Sequence, residues 1–473
     1  MMREDVLRSW PGLAASAAVG LGLLVLPLPA QVGPAAESLA LSREGRAVLA
    51  VTAACIVLWV TEALPFAVTA LLAFLLLPLT GVGAESVPQR LTLWLAEGIG
   101  SPVVAFLLGV MLLGVAVNRS GLGLRMARLI LGLSRGEPRL VILGFMAFAA
   151  LLGMWITPVA MASIAVPMAV ELLARMAIRP GHSNFGKALL LASTWGSLIG
   201  GIATPAGTTS NPIVIQFLRS LADVEIGFLD WMRAGLPMLV LLLLCAWVLL
   251  IWLFPPEIRR CEMTPVSGGA TPPGDGGEQL RIALLLAVAV VIWILLPGGW
   301  VTWSTLLLSL LLFVPRLGFL RWRDAEQGVA WGALLVVAAG VALGTAAYRS
   351  GLARYLAHLL FARLLVALPP FWCRAALSWA TALLHAVFSS NTVTGSIVAP
   401  LLIPLAQDLR LDVWPTLAPA AYSVSLAFLI VSETPTSLIA YQAGYFSARD
   451  YTRAGLPMTL VTGLVVALVL GIV

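Results

Sequence analysis

Ser389-Ser390-Asn391-Thr392 places four small hydroxyl and amide side chains at the centre of an otherwise apolar run, 371–407. Groups of this kind bind rather than break bonds. Their oxygens, together with unwound carbonyls, suit a hard cation such as sodium. Helix N-termini exposed at the same break present N–H groups and a partial positive charge to a carboxylate or sulfate. Two further stretches repeat the chemistry. Gly207, Thr208, Thr209, Ser210 and Asn211 lie in a polar, Gly-rich break within 197–212, and Thr434, Pro435, Thr436 and Ser437 follow Glu433 in 432–437. Both read as broken helices facing the hairpin tips. The plainer alternatives are a polar loop outside the membrane at 389–392, and helix caps followed by turns at the two breaks.

Few charged groups accompany them. Glu433 beside the second break is either a cation ligand or proton carrier, or a capping acid. His385, five residues before Ser390, is a second proton group or a hydrogen-bonded structural residue. Glu62 caps a helix end or pairs with an arginine. His182, His358 and His385 have no metal-ligand spacing, and no H-E-x-x-H is present. Gly181-His182-Ser183-Asn184-Phe185-Gly186-Lys187-Ala188 nearly fits a phosphate-binding loop. It lacks the magnesium-holding Ser/Thr and a preceding strand, so Lys187 reads as a helix-start charge. Without paired in-membrane acids or a Ser–His set, the chain does not read as an enzyme.

The elements that must position these groups are membrane helices. The chain is 60% hydrophobic and 11% charged, against about 45–50% and about 25% for soluble domains. Cys55, Cys245, Cys261 and Cys373 have no metal-like spacing and read as apolar fillers. A bilayer crossing needs about 20 mostly apolar residues. Stretches at 13–29, 47–64, 66–80, 103–117, 187–204, 236–254, 281–296, 302–315, 331–348, 415–431 and 455–473 qualify, about eleven in all. The first follows Arg3 and Arg8 and is a retained helix or a cleaved signal peptide. Two longer runs, 140–176 and 371–407, are interrupted by Thr157-Pro158 and by Ser389–Thr392. They read as re-entrant hairpins, entering the membrane and returning to the same side.

The chain also says the same thing twice. Asp230–Met238 reads DWMRAGLPM and Asp450–Met458 reads DYTRAGLPM; Asn118-Arg119-Ser120-Gly121-Leu122 matches Tyr348-Arg349-Ser350-Gly351-Leu352. An internal repeat in an apolar chain, with paired interrupted segments, is the mark of a secondary transporter whose site lies between the repeats. The expected fold is therefore all-α and polytopic: about eleven transmembrane helices plus two re-entrant hairpins in two inverted-topology repeats. Residues 1–46 hold the first helix, 47–254 the first repeat, 255–280 a Gly/Pro-rich cytoplasmic linker and 281–473 the second repeat. An odd number of spans per repeat inverts the second copy. With the N-terminus inside, most of the 28 basic residues fall in cytoplasmic segments. The net charge of +6 gives no reason to expect nucleic-acid binding, since the arginines sit in short loops between apolar runs.

At this level the chain resembles the divalent anion–sodium symporter (DASS) family of dicarboxylate, citrate and sulfate carriers, from about Trp59 to the C-terminus. Trp59-Val60-Thr61-Glu62-Ala63-Leu64-Pro65 is similar to that family's W-x-T-E-A-x-P. Trp331-Gly332, Gly340 and Ser350-Gly351-Leu352 resemble its second-repeat opening. Ser390-Asn391-Thr392 matches its S-N-T hairpin tip. The resemblance implies that Asn391 and Thr392, with Ser389 and Ser390 beside them, contribute to a sodium site and to substrate contact. It implies that 207–211 and 434–437 are the two broken-helix loops. Three departures stand out. The first hairpin carries Thr157-Pro158-Val159 in place of S-N-T, Thr434-Pro435-Thr436-Ser437 lacks the family's asparagine, and Thr208-Thr209-Ser210-Asn211 lacks its prolines.

Substrate-binding residues are thus expected at Thr157, Ser390, Asn391, Thr392, Thr208, Thr209, Thr434 and Pro435. Cation-binding residues are expected at Ser389, Ser390, Asn391, Gly207, Ser210, Asn211, Thr436 and Ser437, with Glu433 as an additional proton or cation carboxylate. The expected activity is symport of a small dicarboxylate or sulfate with sodium by alternating access. A proton-coupled or uncoupled carrier is the alternative, and an anion channel a third. The resemblance further implies a homodimer. The expected setting is a bacterial inner membrane with a cytoplasmic N-terminus.

Overall fold

The computed structural model describes residues 2–25, 40–261, 276–296, 298–315 and 320–473. Residues 26–29 of the expected first span, 262–275 of the expected linker, Arg316 and the side chains of Arg3 and Arg8 lie outside the described set. Every regular element among the described residues is helical. Eight helices are long and apolar enough to cross a bilayer, from Arg43–Thr61 to Ala448–Ile472. Shorter apolar helices at Trp10–Val25, Phe66–Thr80, Pro138–Gly153 and Gly299–Leu311 accompany them. The protein is an integral membrane protein of the expected class.

The element order runs twice. Arg43–Thr61, Phe66–Leu76, Val87–Gly98, Pro102–Ser120 and Leu122–Gly132 lead to a hairpin, Pro138–Gly153 and Pro158–Arg175. A broken helix, Asn184–Gly201 and Ser210–Ala222, and a long helix, Phe228–Leu253, complete the set. Gly276–Leu295, Gly298–Leu311, Trp322–Gly328, Trp331–Arg349 and Leu352–Leu360 lead likewise to a hairpin, Pro370–Phe388 and Asn391–Asp408. It is followed by the broken pair Val413–Ser423 and Pro435–Gln442, and then Ala448–Ile472. Gly276–Leu295 begins within the expected linker.

Packing is crosswise between the copies. Phe66–Leu76 lies against Trp331–Arg349, and its counterpart Gly298–Leu311 against Pro102–Ser120. Ser210–Ala222 packs on the second hairpin's return arm, and Pro435–Gln442 on the first hairpin's return arm. Each exchange of partners is what an approximate two-fold axis between the repeats produces.

The first hairpin is held by close backbone approach. Gly196 and Gly200 of Asn184–Gly201 sit on the carbonyls of Met146 and Ala150, with no room for a Cβ. Small residues four apart let membrane helices touch in this way. Because 146 meets 196 and 150 meets 200, the outgoing arm runs parallel to Asn184–Gly201, and the return arm must run back antiparallel alongside them. The tip therefore stops level with the break: Thr204 Oγ1 donates to Met154 O at 2.5 Å. That is the geometry of a re-entrant hairpin.

One expected element differs. The span at 415–431 is helical only over Val413–Ser423, and Val424–Ile430 is unwound. Hydropathy does not register the change, because residues 424–429 are apolar except for Ser425 and mostly buried. The second break therefore opens eight residues before Ser432.

Candidate functional site

The second hairpin turns in two residues. Ser389 takes a left-handed conformation (φ 50°) and its N–H donates to His385 O at 2.7 Å. Ser390 caps the returning helix, its Oγ accepting from Val393 N at 3.4 Å. Asn391 and Thr392 are the first residues of that helix, so their N–H groups belong to the unpaired first turn. Asn391 Oδ1 lies 2.7 Å from His385 Nε2, and His385 is buried.

Thr392 is where the repeats meet. Its Oγ1 shares a 2.8 Å hydrogen bond with Thr209 Oγ1 of the first break. Beside it, Thr208 Oγ1 and Ser210 Oγ are 2.8 Å apart, and Ser210 Oγ and Ser425 Oγ 3.1 Å apart. Asn211 Nδ2 donates to Gly201 O at 2.9 Å and Thr204 O at 2.8 Å. Gly207 leaves no room for a Cβ against Gly201 O. The expected residues Thr208, Thr209, Ser210, Asn211 and Thr392 thus form one polar cluster, buried apart from the half-buried Thr209, and the second break contributes Ser425 to it.

A second cluster forms around the other break. Thr434 Oγ1 caps Pro435–Gln442 through Ser437 N at 3.3 Å and lies 3.2 Å from Ser437 Oγ. Ser437 Oγ meets Tyr451 OH at 2.8 Å. Glu433 is buried and its Oε2 accepts from Leu429 N at 2.8 Å and Ile430 N at 3.3 Å. It holds the unwound segment, the capping role weighed from the sequence, and among the described residues it has no ion-pair partner. Thr436 is buried and Pro435 exposed at the helix start. Thr157 caps the first hairpin's return arm through Ala160 N at 3.4 Å. No hydrogen bond among the described residues joins Thr157 to Thr434 or Ser437. The expected residues therefore fall into two clusters rather than one ring.

The repeated nonapeptide supports both breaks, a role the sequence alone did not disclose. Trp231 Nε1 donates to the unwound Ile202 O at 2.8 Å, and Tyr451 OH to the unwound Ala427 O at 3.0 Å. Gly235 faces Ala203 O, where a Cβ would come within 2.7 Å, and Gly455 presses on Phe428 O. Asp230 and Asp450 accept from Gly227 N at 3.0 Å and Ser447 N at 2.9 Å at the starts of these helices. The repeat itself was the signal, since an aromatic donor and a glycine at matching places imply matching acceptors.

Among the described residues no set of three His, Cys, Asp or Glu side chains could hold a metal. Carbonyl and hydroxyl oxygens dominate the site, which suits an alkali cation in transit. Lys187 pairs with Asp450 at 3.0 Å, and Ser183 caps its helix through Gly186 N at 3.0 Å. Both fit the helix-start reading of 181–188.

The family described as the sodium:sulfate symporter transmembrane region matches residues 7–473, more of the chain than the motifs alone covered. Sodium-dependent dicarboxylate transporter SdcS of Staphylococcus aureus (strain bovine RF122 / ET3-1) is 27% identical over 466 residues, 90% of this chain and 85% of that protein. SdcS of strain NCTC 8325 / PS 47 is 26% identical over the same extent. The crystal structure of the Alcanivorax borkumensis YdaH transporter, reported to have an unusual topology, shares the fold at TM-score 0.59. It is 14% identical and covers 99% of this chain and 97% of that one. The chain belongs to the sodium:sulfate symporter family and is a transporter rather than an enzyme.

Proposed function

We propose that this family member is a secondary active carrier of a small divalent anion, dicarboxylate or sulfate, driven by sodium through alternating access. The observation that carries the reading is the Thr209–Thr392 hydrogen bond at 2.8 Å. It sets the broken helix of one repeat against the hairpin tip of the other, so rocking one repeat against the other opens or closes the same polar cluster. Asn391, Thr392, Ser390, Thr208 and Thr209 contact the anion, with Thr157, Thr434 and Pro435 at the opposite side. The oxygens of Ser389, Ser390, Asn391, Gly207, Ser210, Asn211, Thr436 and Ser437 serve the cations. Sodium bound beside the tips supplies the positive charge that the anion needs, which fits a site built from neutral side chains.

The names of the Staphylococcus aureus relatives support sodium and a dicarboxylate. The family's name supports sodium and sulfate. The carrier units are the repeats at 47–254 and 281–473, joined by 255–280. The whole chain works as a homodimer in a bacterial inner membrane with the N-terminus in the cytoplasm. Native mass spectrometry from lipid nanodiscs reads the dimer directly.

Labelled succinate and labelled sulfate uptake into proteoliposomes tests the function, first with an inward sodium gradient and then with a proton gradient. Sodium-driven accumulation of either anion is expected. A second reading rests on Glu433, a buried carboxylate without an ion-pair partner among the described residues. Accumulation driven only by protons would move the coupling there, and Glu433→Gln would then abolish it. Uptake without counterflow of unlabelled anion would make the protein a pore and sink both readings.

A further inference from the structure

His385 lies on the outgoing arm of the second hairpin, one turn before the tip, and is 1% exposed. The left-handed Ser389 folds the chain back so tightly that Asn391 lands over the imidazole. Nε2 is 2.7 Å from Asn391 Oδ1, while Nδ1 is buried and has no hydrogen-bond partner among the described residues. That asymmetry decides the tautomer. A proton on Nδ1 would be a buried donor with nothing to receive it, which is costly; a bare lone pair there costs less. The ring therefore carries its proton on Nε2 and donates it to Asn391 Oδ1.

The orientation of the Asn391 amide follows. Side-chain oxygen and nitrogen are assigned by their partners, and only the oxygen can accept from Nε2–H. Nδ2 of the half-buried Asn391 keeps both hydrogens for another partner, at the start of a helix whose first N–H groups are unpaired. Asn391 then offers donors alone to a ligand, and its oxygen is committed to His385.

We propose that His385 is a positioning residue that fixes Asn391 as an N–H donor to the transported anion and withdraws it from the cation's ligand set. The inference rests on the proposed anion site and narrows it, since Asn391 otherwise counts toward both ligands. It also gives His385 a task that requires the ring to keep one proton rather than relay it.

The test is uptake kinetics of the full-length carrier in proteoliposomes, with anion KM and sodium half-saturation measured separately for His385→Leu and His385→Gln. The leucine variant frees the amide to turn, and anion KM should rise about tenfold, the worth of one well-made hydrogen bond to a charged ligand. Sodium half-saturation should stay within about twofold. The glutamine variant keeps an N–H donor and should return anion KM to within about threefold of the parent. His385→Phe, which keeps the ring volume, replaces the leucine variant if that one misfolds. An unchanged anion KM in the apolar variant, a parallel rise in sodium half-saturation, or an equal loss in the glutamine variant would each overturn the proposal. Asn391→Ala is the control: if it transports with normal KM, the anion site itself is misplaced.

Discussion

Thr209 and Thr392 each spend their hydroxyl on the other repeat, so either side chain should report on whether the two halves share one site. Thr209→Val keeps the shape and removes the hydrogen bond, leaving the buried Thr392 Oγ1 unpaired. The cost is about 1 kcal/mol, and anion KM should rise roughly five- to tenfold with the sodium gradient fixed. Asn391→Ala and Thr392→Ala should abolish uptake while the purified protein still elutes as one species; survival of transport in both would refute the site. These residues were legible because Ser390-Asn391-Thr392 interrupts an apolar run. Ser425 was not, since one serine in apolar text says nothing until Ser210 is found 3.1 Å away. Asn211, expected as a cation ligand, presents nitrogen rather than oxygen to Gly201 and Thr204. Its place was legible in the sequence and its orientation was not.

The two breaks survive in a membrane only because other helices satisfy their backbone, since no water is available there to do so. Tyr451 serves the second break by donating to Ala427 O and meeting Ser437 Oγ. Tyr451→Phe should lower thermal stability by about 1–3 kcal/mol, the usual cost of orphaned buried polar groups. The loss is read as a drop in Tm of the detergent-purified protein, together with reduced maximal uptake at unchanged KM. Gly455→Ala should be worse than Gly235→Ala, because the backbone oxygen of Phe428 crowds the site more closely than that of Ala203. The reverse ranking would show that the break moves freely. Both hairpins were legible from polar or proline residues at their centres. The second break's true start was hidden because unwinding at Val424 changes hydrogen bonding while adding a single polar side chain, Ser425, to an apolar stretch. The groups that permit it, the Tyr451 OH donor and the Glu433 carboxylate acceptor, are recognisable only once the chain is folded.

For the whole molecule, the repeated Arg-Ser-Gly-Leu tells how the halves are tied. Arg119 of the first copy pairs with Asp324, and Arg349 of the second with Glu97. The acids sit on corresponding helices, Trp322–Gly328 and Val87–Gly98. Each arginine crosses to the other repeat. All four side chains are partly exposed, so each pair contributes at most about 1 kcal/mol and serves better as a marker of symmetry than as a clamp. If the repeats are inverted, the two arginines lie on opposite faces of the membrane. Single cysteines at the two positions test this with a membrane-impermeant thiol reagent on right-side-out vesicles. Arg349→Cys should label from outside, and Arg119→Cys only after the membrane is opened. The native cysteines interfere little. Cys55 and Cys261 are buried, and burial pushes the Cys261 thiol up to about 12, leaving almost no thiolate at neutral pH. Cys245 and Cys373 are half-buried and are replaced by serine in the background. Labelling of both positions from the same side would mean parallel repeats, and the shared polar cluster would then need a different motion to alternate its access.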